Sequence, residues 1–129
     1  MLNDPLANAL STILNHEKIG KKEVYINPIS KLILKVFGIL QEQRYVGSYE
    51  IVSEGKGKLL KLHLLGKVNQ CGVIKPRFAI KKDGYQRFEK RFLPARNVGI
   101  ILISTPKGIM THTEAKKKGY GGKLLCYCY

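Results

Sequence analysis

Gly99-Ile100-Ile101-Leu102-Ile103-Ser104-Thr105-Pro106-Lys107-Gly108-Ile109-Met110-Thr111-His112-Thr113-Glu114-Ala115 packs three structural signals into one short run. The aliphatic residues Ile100 to Ile103 predict a buried strand. Thr105-Pro106-Lys107-Gly108 follows as a turn, with Pro and Gly at positions that a type I turn favours. Thr111 and Glu114 then stand at capping-box spacing and predict a helix start. Lys116, Lys117 and Lys118 complement that helix's carboxyl end, and Gly119 can close it in a left-handed conformation. Lys123 to Tyr129 reads as the last strand, with Leu124, Cys126 and Cys128 facing opposite to Leu125, Tyr127 and Tyr129.

Working outward, Asp4-Pro5 is a helix-start signal, because Asp accepts from orphan amides and Pro is tolerated next. Leu6, Leu10, Ile13 and Leu14 form one apolar stripe of a helix ending near His16. Lys22 to Asn27 predicts a short strand with Val24 and Ile26 on one face and Tyr25 on the other. Asn27-Pro28 repeats the start signal, with Ser30 as a competing cap, before the stripe Ile29, Leu32, Ile33, Val36, Phe37 and Leu40. A hairpin follows: a strand around Tyr49 to Val52, the turn Glu54-Gly55-Lys56-Gly57, and a strand in which Leu60, Leu62 and Leu64 alternate with Lys61 and His63. The order helix–strand–helix–strand–strand predicts an α+β module over residues 1–65. Residues 66–129 predict a second, mainly β module with a short helix. Its first part is cut into short segments by Gly66, Gly72, Pro76, Gly84 and Pro94, although Tyr85, Phe88 and Phe92 have helical spacing.

Charge is divided unequally between these modules. Residues 66–129 hold 14 Lys and Arg against 3 acids, whereas residues 1–65 hold 9 against 6. So lopsided a surface repels itself unless a polyanion neutralises it, and nucleic acid is the commonest one. Lys75, Arg77, Lys81, Lys82, Arg87, Lys90, Arg91 and Arg96 supply much of the excess.

Other chemistry finds little support. His16, His63 and His112 lie in unrelated segments, with no nucleophile in local context. Cys126 and Cys128 would share one face of a strand, but no second ligand pair follows at zinc-site spacing, so small core residues are the simpler reading. No phosphate loop or dinucleotide fingerprint is present, and no cofactor is expected. Three cysteines cannot pair evenly, and no apolar run approaches the roughly 20 residues of a membrane span. With no secretory pattern at the amino terminus, the expected location is the cytoplasm.

The run around Ser104 can meet RNA. A strand delivers two hydroxyls and an ammonium to an exposed turn, and a hydroxyl both donates to and accepts from base edges, ribose 2′-OH groups and phosphates. Gly108 permits close approach of a nucleic-acid backbone, and Lys107 supplies a point charge. Taken as local pattern alone, the same residues also fit an ordinary strand-to-helix turn.

The chain resembles, essentially end to end, the universal small-subunit ribosomal protein family usually numbered eight. Asp4-Pro5-Leu6-Ala7-Asn8 with Ile13 and Asn15 is similar to the family's opening helix, and Ser30-Lys31-Leu32 to the start of its second. Gly99 through Lys116 resembles the family signature, and Gly121-Gly122 with an aromatic-ended strand resembles its carboxyl terminus. Asn69 to Phe78 and Leu93-Pro94-Ala95-Arg96 look closer to archaeal and eukaryotic members than to bacterial ones. The resemblance implies a non-catalytic structural protein of the small ribosomal subunit, with neighbouring ribosomal proteins as partners. It further implies a primary binder that organises the central domain of small-subunit rRNA by recognising an irregular stem during assembly. The site it implies comprises Ser104, Thr105, Lys107 and Gly108 at the contact turn, Gly121, Gly122 and Lys123 beside it, and Asp4, Pro5 and Lys31 near the amino terminus. Pro106 departs from a third hydroxyl of bacterial relatives, and Lys123 from their usual Glu. An alternative role is repression of a messenger whose stem imitates the ribosomal site.

Overall fold

Leu6, Ala9, Leu10 and Ile13 are buried along one side of the first helix, α1 (Pro5–Lys18). The computed structural model describes residues 5–26, 30–54, 57–74, 77–81, 84–95 and 98–129, with the side chains of residues 53, 54, 57 and 58 outside it. Ala9 takes the inner position in the stripe, and Leu14 sits half-buried at its edge. The helix runs past His16, whose Nδ1 lies 2.8 Å from the Thr12 carbonyl. The expected cap Asp4 lies outside the described residues.

The short strand β1 (Glu23–Ile26) buries Val24 and Ile26 and leaves Tyr25 exposed, as alternation requires. Helix α2 (Lys31–Glu42) is capped by Ser30, and the competing Asn27-Pro28 signal lies outside the described residues. The Ser30 backbone is extended, and its hydroxyl accepts from the Ile33 amide at 3.2 Å. Ile33, Val36, Phe37 and Leu40 are buried, whereas Leu32 is half-buried. Ile29, the remaining member of the expected stripe, lies outside the described residues.

Strands β2 (Val46–Glu54) and β3 (Gly57–Leu64) form the expected hairpin, with β2 beginning earlier than its alternation predicts. The sheet order is β1-β3-β2, all antiparallel, and it seats Leu60, Leu62 and Leu64 among the buried residues. Glu17 of α1 ties down the chain beyond β3 by accepting from the Gly66 and Val68 amides at 3.3 and 3.2 Å. These elements make one compact unit, residues 1–69.

The second unit, residues 70–129, is built on a five-stranded antiparallel sheet. Strands β4 (Cys71–Val73) and β5 (Ala79–Ile80) were hidden in the punctuated segment, and both pair with the carboxy-terminal strand described below. Helix α3 (Tyr85–Phe92) follows the aromatic spacing, burying Tyr85 and Phe88. Strand β6 (Ile100–Thr105) is buried from Ile100 to Ile103. The residues after it differ from expectation. Gly108 to Thr111 form another strand, β7, so the turn is the tip of a β-hairpin rather than a direct strand-to-helix step.

Helix α4 (His112–Lys118) then begins at Thr111, whose hydroxyl accepts from the Glu114 amide at 3.3 Å. Its carboxyl end closes at Gly119 in the left-handed region. The Glu114 carboxylate takes Lys118 at 2.9 Å, and Lys116 reaches Glu89 of α3 at 2.6 Å, so two of the three lysines also make ion pairs. The last strand, β8 (Gly122–Cys128), is central and pairs with β4, β5 and β6. A register shift opposite Leu102 and Ile103 leaves Leu125 as the extra residue of a bulge. The bulge corrects the expected alternation: Leu124, opposite Ile103, shares a face with Tyr127, opposite Ile101, while Cys126 and Cys128 lie on the other, and Leu125 is buried as well.

A core of Ile74, Ile80, Tyr85, Phe88, Leu93, Ile101, Ile103, Met110, Ala115 and Leu124 joins α3 and α4 to one face of this sheet. Cys71, Cys126 and Cys128 are buried, and burial pushes the Cys126 thiol far above its ordinary range.

Candidate nucleic-acid interface

The hairpin of β6 and β7 owes its shape to its loop residues. A Pro at the first loop position holds φ near −65°, which excludes the primed turns that best match strand twist. The mismatch is absorbed at Gly108, where φ is 121°. An added Cβ at Gly108 would meet nothing within 4 Å, so the backbone there is open to solvent.

Ser104 and Thr105 take different parts. Thr105 is on the core side and only 8% exposed. Its hydroxyl donates to the Gly108 carbonyl at 2.7 Å and accepts from the Lys107 amide at 3.2 Å, closing the loop on itself. Ser104 points the other way and is exposed, and its hydroxyl has no partner among the described residues.

The sheet register extends this outward face. Ala79 pairs with Lys123, Lys123 with Ser104, and Ser104 with Ile109. Directly opposed residues of antiparallel strands point to the same side. Ala79, Lys123, Ser104 and Ile109 therefore form one row across β5, β8, β6 and β7, the first three exposed and Ile109 half-buried. Gly122 makes the row continuous. A Cβ there would lie 2.2 Å from the Ser104 carbonyl oxygen, so only glycine lets β8 approach β6 so closely. Lys107 is exposed at the tip, and neither the hairpin nor β8 contains a carboxylate.

The structure thus gathers Ser104, Thr105, Lys107, Gly108, Gly122 and Lys123 at one end of the second sheet, with half-buried Gly121 immediately before it. Lys31 is exposed and Pro5 half-buried, each the first residue of its helix in the other unit. Asp4 lies outside the described residues.

Hairpin, glycine approach and aromatic-ended strand lie within residues that match, from 4 to 129, the family model described as Ribosomal protein S8. The chain belongs to the ribosomal protein S8 family. As an S8 family member it is a structural constituent of the small ribosomal subunit in the cytoplasm, binds rRNA there, and is a structural RNA-binding protein rather than an enzyme.

One buried cluster of this chain was missed by sequence reasoning. His112, 6% exposed, accepts the Ile101 amide at Nδ1 (3.0 Å) and turns Nε2 toward Glu89 at 3.6 Å. Burial lowers its pKa below the ordinary histidine value, against the opposing pull of Glu89. Glu89 also holds Lys116, so this cluster locks α3 to α4. No motif spacing announces it, because its members come from separate elements.

Proposed function

We propose that the outward row headed by Ser104 and Lys123, with the open tip at Lys107 and Gly108, grips an irregular stem in the central domain of small-subunit rRNA. On this reading the protein is a primary binder that organises that domain during assembly, and its sequence type is archaeal or eukaryotic. The supporting observation is the division of labour between neighbouring hydroxyls: Thr105 is spent on the loop, whereas Ser104 is exposed and directly opposed across the strands to exposed Lys123. Lys107 and Lys123 neutralise phosphates and release counterions, giving affinity that falls steeply with salt. The Ser104 hydroxyl can donate and accept at a base edge that an irregular stem opens to it, whereas the deep, narrow major groove of a regular A-form duplex hides the edges that carry most sequence information. Lys31 and Pro5, with Asp4, would add contacts from the amino-terminal unit.

The test compares binding to a central-domain rRNA fragment with binding to a regular RNA duplex. Ser104→Ala should reduce the ratio of the two affinities by about three- to tenfold, the worth of one net hydrogen bond. Full selectivity in that variant would refute the assignment of the site.

A further inference from the structure

Helix α3 contains one carboxylate and three cations, and the fold separates them. Glu89 is turned to α4, where Lys116 and His112 engage it. Gln86, Arg87, Lys90 and Arg91 lie within less than half of the helix circumference on the other flank, all exposed, and line a shallow open groove. Among the described residues none of these three cations meets a carboxylate. Like charges at i and i+4, as at Arg87 and Arg91, destabilise a helix slightly, so the arrangement is an electrostatic liability for an unbound protein.

The guanidinium groups are also held in place. Arg87 Cζ lies 5.0 Å from the Phe88 ring centroid, and Arg91 Cζ lies 5.4 and 5.3 Å from those of Phe78 and Phe92. Stacking restricts the planar fork while leaving N–H edges for an anion, and that fork matches phosphate oxygens in pairs. A protein partner fits less well, because interface cores are depleted of charge and centred on desolvated aromatic anchors. Here the rings are half-buried or buried beneath the cations.

We infer that the outer flank of α3, through Arg87, Lys90 and Arg91 with Gln86 beside them, is a second RNA-backbone contact that takes phosphates independently of the hairpin corner. It rests on the family's binding of rRNA but not on the role proposed for Ser104. The groove carries no base-reading requirement, so it adds affinity without selectivity.

The experiment measures Kd against salt for the full chain on the central-domain fragment and on a regular RNA duplex. R87Q/K90Q/R91Q should flatten the log–log salt slope by about 2 to 3, the loss of three phosphate contacts. It should weaken both RNAs alike, leaving their affinity ratio unchanged. R87K/R91K, which keeps the charges, should retain the wild-type slope; failure to do so would assign the loss to damaged packing and overturn the inference. A wild-type slope in the triple variant would also overturn it, and would direct that flank to a protein neighbour. Ser104→Ala reads out separately, changing the affinity ratio but not the slope, so either idea can fail alone.

Discussion

Gly122→Ala should open the second sheet at the row that carries Ser104. The new Cβ would stand 2.2 Å from the Ser104 carbonyl oxygen and 3.0 Å from Ile103 Cγ2, whereas ordinary contact begins near 3.4 Å. Relief requires β8 and β6 to separate by about 1 Å, and the obstacle is backbone, which cannot rotate aside. Overpacking of this kind costs about 1–3 kcal/mol, and the flanking pairs Ile103 with Leu124 and Ser104 with Lys123 would lose ladder geometry at about 1 kcal/mol per weakened bond. We expect a destabilisation of about 3 kcal/mol and a fall in melting temperature on the order of 10 °C. Gly38→Ala is the matched control. Gly38 lies inside α2 with nothing within 4 Å of an added Cβ, so Ala should stabilise by up to about 1 kcal/mol. Urea unfolding followed by far-ultraviolet circular dichroism reads both. If Gly122→Ala unfolds at the wild-type midpoint, the close approach does not constrain the sheet and the reasoning fails.

Two further outcomes follow from buried groups. The folded-state pKa of His112 is depressed by burial, so the unfolded chain takes up a proton first as pH falls. Its contribution to stability should be intact above the ordinary histidine pKa of about 6.5 and decline below it; urea midpoints at pH 7.5 and 5.5 should differ less in His112→Gln than in wild type, and an equal difference would refute this. Cys126, buried and with its thiol pushed far up, should resist iodoacetamide in the native protein at pH 8 yet react in urea, as peptide mass mapping can tell; rapid native labelling would contradict the burial.

Much of the fold was readable because long elements repeat their periodicity. The stripes of α1 and α2 and the alternation of β3 each offer several buried positions, and tertiary structure altered only their ends. Strands β4 and β5 offered three and two residues, too few for any period to appear. β7 was missed because Thr111 serves two elements, ending the strand and capping α4. At the interface, sequence could nominate both hydroxyls of Ser104-Thr105 but could not tell them apart. Only the sheet register sends one outward and the other into the loop. The pairing of Ser104 with Lys123, and the retreat of Glu89 from the cations of its own helix, likewise depend on contacts between distant segments.

The row from Ala79 through Lys123 and Ser104 to Ile109 works as a ruler. Its marks are set by hydrogen-bonded strands at steps of about 4.8 Å, giving a span of roughly 14 Å, and no side-chain rotation can lengthen it. On the reading proposed for this row, an RNA whose groove departs from that spacing is gripped only if it deforms, so its stiffness would weigh in the choice between sites alongside its sequence.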